Sequence, residues 1–128
     1  MMKNSKVILE QWIQAVNEKS VKNLENLYDK NAVLIPTFSN RVLDTEEKIQ
    51  DYFMKLGSRE GLSVTLHEKT LRVQEVSDFI SIISGIYNWR FIIDDELLNF
   101  EARFSYVIDI SKENPILHHH SSQIPRML

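Results

Sequence analysis

Apolar residues recur every three or four positions in the first part of the chain and every second position after residue 61. Val7, Ile8, Trp12, Ala15 and Val16 share one helical face, with Glu10, Gln11, Gln14 and Asn17 between them. Ser20 suits the cap of a shorter helix bearing Val21, Leu24, Leu27 and Tyr28. Residues 32–35 read as a buried strand stopped by Pro36, and residues 41–43 as a second short strand. Asp44 with Glu47 predicts a capping box, opening a third helix through Ile49, Tyr52, Phe53 and Leu56 to Gly57. Strand-like segments follow at 62–74, 79–93, 97–110 and 115–122. Ser77-Asp78, Asp94-Asp95-Glu96 and Lys112-Glu113-Asn114-Pro115 supply the turns between the last three and before the first of them. Helices first, then an antiparallel meander, predict an α+β fold with the helices on one face of a curved sheet.

Two of these strands define two faces. Tyr87, Trp89, Phe91 and Ile93 share one side, and Ile86, Asn88, Arg90 and Ile92 the other. On the next strand Phe100, Ala102, Phe104, Tyr106 and Ile108 oppose Glu101, Arg103, Ser105 and Val107. Pairing Trp89 with Phe104 sets Tyr87 against Tyr106, and Arg90 against Arg103 on the reverse side. The expectation is that Arg90 and Arg103 look into the concave interior, while Tyr87, Trp89, Phe91, Phe104 and Tyr106 face a second copy of the chain. Two opposed guanidiniums repel and cannot lose their protons. They call for a carboxylate between them, from Glu101, from Asp109 or from a bound anion.

Composition narrows the function. The 128 residues suit one domain with one core, spanning 1–128. A formal net charge of -3 leaves no basic surplus for a nucleic-acid backbone or an anionic membrane. With no cysteine, disulfides and thiolate catalysis are excluded. Glu10 ends the first apolar run too early for a signal peptide, and no stretch is long enough to span a bilayer. A cytoplasmic location is expected.

Near the C-terminus stands His118-His119-His120-Ser121-Ser122, with Pro125 behind it. In a strand His118 and His120 share a face and His119 points the other way. Together with Phe53-Met54-Lys55-Leu56-Gly57-Ser58-Arg59, Asn88-Trp89-Arg90, and Glu101 two positions before Arg103, this order of motifs resembles the association (hub) domain of calcium/calmodulin-dependent protein kinase II. Stand-alone bacterial proteins of that superfamily, the nuclear transport factor 2-like proteins, are similar too. The resemblance implies a cone-shaped, cystatin-like α+β fold, N-terminal helices packed on a strongly curved antiparallel sheet. It also implies self-association and a pocket for a small carboxylate-like ligand, held by Arg59, Arg90, Arg103, His118, His120 and Glu101. The family's Trp before the Ser in the first motif is Gly57 here, and its acidic pair before the third arginine is Phe100-Glu101.

Neither kinase activity nor a cofactor is implied. There is no glycine-rich phosphate loop, catalytic-loop motif or dinucleotide fingerprint. Lys3, Lys6, Lys19 and Lys22 alternate with Glu10, Glu18 and Glu25, so no basic helix is set out for calmodulin; that label belongs to the relatives. Metal binding is not expected, because the arginines would repel a cation. Two alternatives stay open. The arginines could be structural, paired with internal carboxylates. Or His118 or His120 could act as general base in an isomerase, dehydratase or cyclase of the same superfamily.

Overall fold

The computed structural model describes residues 4–125; Met1, Met2 and Lys3, with their part in the N-terminal expectations, lie outside these. Helix α1 (Ser5–Asn17) starts where Asn4 Oδ1 accepts from Val7 N at 2.9 Å. Helix α2 (Val21–Leu27) is capped by Ser20, and runs directly into strand β1 (Tyr28–Ile35). Helix α3 (Glu46–Gly57) is capped by Thr45 rather than Asp44, whose carboxylate instead pairs with Lys48 at 2.9 Å. Residues 41–43 form no strand; Leu43 makes a single bridge to Leu34.

Strands β2 (Ser63–Leu66), β3 (Arg72–Glu75), β4 (Ile80–Ile93), β5 (Glu96–Asp109) and β6 (Ile116–Gln123) complete one six-stranded sheet. Its order is β1-β6-β5-β4-β2, with β3 also on β4; only β1 and β6 run parallel. The sheet is curled but not closed, and the helices pack against one side. The segment expected as one strand over 62–74 is broken by a 3-10 turn at Glu68–Thr70. That turn brings Thr70 Oγ1 within 2.8 Å of Ile86 N. Gly85 makes room for it: a Cβ there would meet Thr70 Oγ1 at 3.0 Å and Phe104 Cζ at 3.2 Å.

The β4–β5 register differs from expectation by four residues. Trp89 pairs with Phe100, and Arg90 with Asn99. The cause is a two-residue hairpin in which Asp94 and Asp95 both take positive φ, 51° and 64°. Ile93 then faces Glu96, which sets every pair behind it. An even shift preserves the faces, so the aromatic and the arginine sets stay separate.

Which face turns inward is the opposite of the expectation. Tyr87, Trp89, Phe91, Phe104 and Tyr106 are at most 5% exposed, beneath α1 of their own chain. Trp12 of α1 stacks on Tyr87 (5.6 Å, 10°) and meets Trp89 and Tyr106 edge-on. These five residues are therefore core rather than a surface between copies. The energetics explain it. Each aromatic ring buries roughly 150–250 Å², which at about 25 cal/mol/Å² stabilises by roughly 4–6 kcal/mol. Turning Arg90 and Arg103 inward would instead cost several kcal/mol per ion in lost hydration. The apolar stripe of α1 takes the aromatic face, and the guanidiniums remain in water.

Candidate functional site

Of the concavities among the described residues, two meet at Tyr52. The deeper one is filled. His119 is 2% exposed, stacked on Tyr106 at 3.8 Å and met edge-on by Trp12. Its Nδ1 lies 2.7 Å from Tyr28 Oη, and its Nε2 lies 3.2 Å from Tyr87 Oη. Trp12 Nε1 donates to Tyr28 Oη at 3.0 Å. Tyr28 therefore has one proton left to donate, and Nδ1 of His119 is the acceptor available to it. This assigns the neutral tautomer with the proton on Nε2, directed at Tyr87. Burial holds the His119 pKa well below its usual range, with His118 and His120 pushing the same way. Burial likewise raises the Tyr28, Tyr87 and Tyr106 phenols, so the whole cluster is uncharged.

Beside it a void of about 10 Å³ remains, bordered by Thr37, Tyr52, Trp89 and Ser121. Thr37 and Ser121 hydrogen-bond to each other through their hydroxyls. Trp89 Nε1 and Tyr106 Oη are buried without a partner among the described residues.

The roomier concavity is a groove of about 620 Å³ between α3 and the segment following β1. Phe38, Leu43, Tyr52 and Leu56 give it an apolar floor. Tyr52 borders both groove and inner void, and its Oη lies 3.4 Å from Phe38 N. Around the rim stand Arg41, Lys48, Lys55 and Arg59. Lys48 is paired with Asp44, and Lys55 with Asp51 at 3.0 Å. Arg41 and Arg59 have no carboxylate within 4 Å among the described residues. The Arg59 guanidinium lies 5.7 Å from the Phe91 ring centroid. An apolar floor with two unpaired guanidiniums can hold a small anion with a hydrophobic body.

Of the six site residues expected from sequence, Arg59 alone reaches this groove. Arg90 and Arg103 are exposed on the outer face of the sheet. They do not oppose each other: Arg90 Nε donates to Asn99 Oδ1 at 2.8 Å, and Arg103 stands between Ile86 and Ser122. Glu101 pairs with Asn88 on that same exposed face. His118 opposes Val107, and His120 opposes Ser105, again outside. The three arginines therefore do not converge on a cone interior. Arg41, Tyr28 and His119 went unnoticed as site residues. Arg41 carried no pattern of its own, and the Tyr28–His119 contact joins residues 91 positions apart.

The fold, a curled sheet with helices on its concave side, is that of the cone-shaped nuclear transport factor 2-like proteins. A protein of that family from Streptomyces avermitilis, described as a dehydratase, superposes with a TM-score of 0.78 at 12% identity, covering 94% of each chain. A ketosteroid isomerase-like protein from Erwinia carotovora atroseptica gives 0.77 at 8% identity, again with 94% of each chain covered. A protein from Xanthomonas campestris, described as a calcium/calmodulin dependent protein kinase II association domain, gives 0.85 at 22% identity, covering 95% of this chain and 86% of that one. A search of curated proteins finds no match. The calcium/calmodulin dependent protein kinase II association domain family matches residues 3–125, and the chain belongs to it.

Proposed function

We propose that this chain is a self-associating domain, without kinase activity of its own, that joins copies through the outer face of its sheet and holds a small carboxylate-bearing ligand in the groove by α3. The observation that carries this reading is the uncovered sheet face. Among the described residues no helix covers Val33, Ile35, Ile82, Ile86 and Val107, which sit half-buried in adjoining rows across β1, β4 and β5, with His118 and His120 of β6 between them. An antiparallel sheet with one face packed on helices and apolar rows on the other is suited to a two-fold contact. Membership of an association-domain family supports the same reading. The face differs from the aromatic one first expected, which the chain's own helices occupy.

The ligand half rests on Arg41 and Arg59 at the groove. Among the described residues no helix is long and apolar enough to cross a membrane. The enzyme reading, supported by isomerase and dehydratase relatives, fits less well: His118 and His120 face outward, and His119 has both ring nitrogens engaged.

Both halves are tested together by titrating sodium benzoate while measuring mass by light scattering. Wild type is expected to bind benzoate but not benzamide, and Arg41→Ala or Arg59→Ala to weaken binding about tenfold, the loss of one charge-assisted hydrogen bond. Ile86→Asp is expected to yield monomers of 15.1 kDa. Equal binding of benzamide, or an oligomer indifferent to Ile86→Asp, overturns the corresponding half.

A further inference from the structure

Trp89 Nε1 is a hydrogen-bond donor with nothing to donate to among the described residues, although its residue is only 2% exposed. An indole N–H cannot accept, so its demand is met only by an acceptor brought to it. Trp89 borders the inner void of about 10 Å³, and so do Thr37, Tyr87 and Ser121, each of which carries a hydroxyl. Burial raises the Tyr87 phenol, while Ser121, Thr37 and Trp89 pull it back, which places all three side chains beside its oxygen. That oxygen already accepts from His119 Nε2 at 3.2 Å, and its own proton is left to give. Thr37 and Ser121 bond to each other, which uses one of their two protons. Tyr106 Oη, also buried without a partner, does not border this void, so the void answers for Trp89 alone.

We infer that this void is a binding site for one water molecule, which accepts from Trp89 Nε1 and joins it to the hydroxyls of Thr37, Ser121 and Tyr87. Size and polarity agree. A buried water needs roughly 10–15 Å³ and two to four polar partners, whereas a purely apolar cavity stays dry even when far larger. Here polar groups from four residues surround room for one water and nothing larger. Hydroxyls rotate to give or to take, so they suit whichever bonds of the water the indole leaves over. The water ties together three stretches of chain: Thr37 in the segment after β1, Tyr87 and Trp89 on β4, and Ser121 on β6. Through Tyr87 it extends the hydrogen-bonded line that runs on through His119 and Tyr28 to Trp12. Its role is to pin to the sheet the segment that brings Phe38 and Arg41 to the groove. The inference uses no property of a groove ligand, and it stands apart from the carboxylate reading.

A crystal structure that resolves ordered water tests this. The expected result is one density peak about 2.7–3.2 Å from Trp89 Nε1, with a hydroxyl of Thr37, Ser121 or Tyr87 at a similar distance. No peak there overturns the inference. In crystals of Thr37→Val/Ser121→Ala the peak should be gone, and a peak that persists overturns the assignment of its partners. The wild-type map decides even if that variant does not fold. In solution the chain's two tryptophans can be compared with each other. Water-selective NMR should show magnetisation passing between water and the Trp89 indole proton. Trp12 is the matched control, since its Nε1 meets the Tyr28 hydroxyl directly, at 3.0 Å, and should show none. Trp89→Phe identifies the signals by removing one. Two indoles that respond equally would contradict the site.

Discussion

Tyr28 Oη and His119 Nδ1, 91 positions apart, share a 2.7 Å hydrogen bond in the centre of the core. The same hydroxyl accepts from Trp12 Nε1, so one oxygen ties α1, the start of β1 and the middle of β6 together. Tyr28→Phe removes that oxygen and leaves both an indole N–H and an imidazole nitrogen buried without a partner. The cost of each is about 1–3 kcal/mol. Urea unfolding should show a loss of roughly 2–5 kcal/mol with unchanged slope. A loss below about 0.5 kcal/mol would mean the network contributes nothing.

The neutral His119 makes stability depend on pH in a defined direction. Its folded pKa lies well below the ordinary value, because burial disfavours the charged ring and His118 and His120 add to the effect. Between that folded pKa and about 6.5 the unfolded chain binds more protons, so stability rises with pH. The contribution is full above about pH 6.5 and declines as pH falls below it, by at most about 1.4 kcal/mol per unit. Asp29 acts in a separate, more acid window. Its hydrogen bond to Lys112, at 2.9 Å, holds its pKa below the usual carboxylate value, and its contribution is lost as pH falls through that lowered value. Unfolding curves of His119→Gln should be flatter than wild type between about pH 5 and 7. Identical slopes would contradict the assignment.

Neighbouring residues on β4 separate the two faces experimentally. Trp89 is 2% exposed among Trp12, Phe38 and Tyr87, whereas Arg90 is exposed on the other side. Trp89→Ala should cost about 3–5 kcal/mol. Arg90→Ala and Arg103→Ala should change stability by no more than about 0.5 kcal/mol. Comparable losses at Trp89 and Arg90 would contradict the orientation of the sheet.

These faces show how far the strands could be read in advance. Alternation from Tyr87 to Phe91 and from Phe100 to Phe104 separated aromatic from charged sides correctly, because side chains on a strand cannot change sides without a register slip of one. It held no information on which side the helices cover. That depends on Trp12 finding Tyr87 and Trp89, a contact across more than seventy positions of chain. A turn over Asp94-Asp95-Glu96 was visible, but not that Asp94 and Asp95 alone form it, which is what determines the Trp89–Phe100 pairing. The break after Leu66 was not, since it exists for the contact of Thr70 with the backbone beside Gly85. At the groove, Arg59 was named in advance only through the family motif Phe53-Met54-Lys55-Leu56-Gly57-Ser58-Arg59. Arg41 was not, because a groove is made by the approach of two segments and neither one announces it.

Gly85 provides an independent check on that break. A methyl group there would press on Thr70 Oγ1 at 3.0 Å and on the Phe104 ring at 3.2 Å. Gly85→Ala should destabilise by about 1–3 kcal/mol, the usual cost of overpacking. Pairing it with Thr70→Ala, which removes the hydroxyl that the new methyl meets, should leave the Phe104 part of the loss together with the lost hydrogen bond from Ile86 N. Thermal unfolding of the single and double variants measures both, and an unchanged midpoint for Gly85→Ala would contradict the close approach.

The chain has no cysteine, so one nitroxide can be placed at will. Ser105 lies mid-strand on the outer face, opposite His120 and Ser84, and Met54 lies exposed on α3. Pulsed electron–electron resonance on Ser105→Cys, labelled and measured beside labelled Met54→Cys, reads which side of the molecule meets its copy. Outer-face association predicts a defined intermolecular distance from the Ser105 label, shorter than that from Met54. No dipolar signal between Ser105 labels, or a shorter distance from Met54, would contradict it.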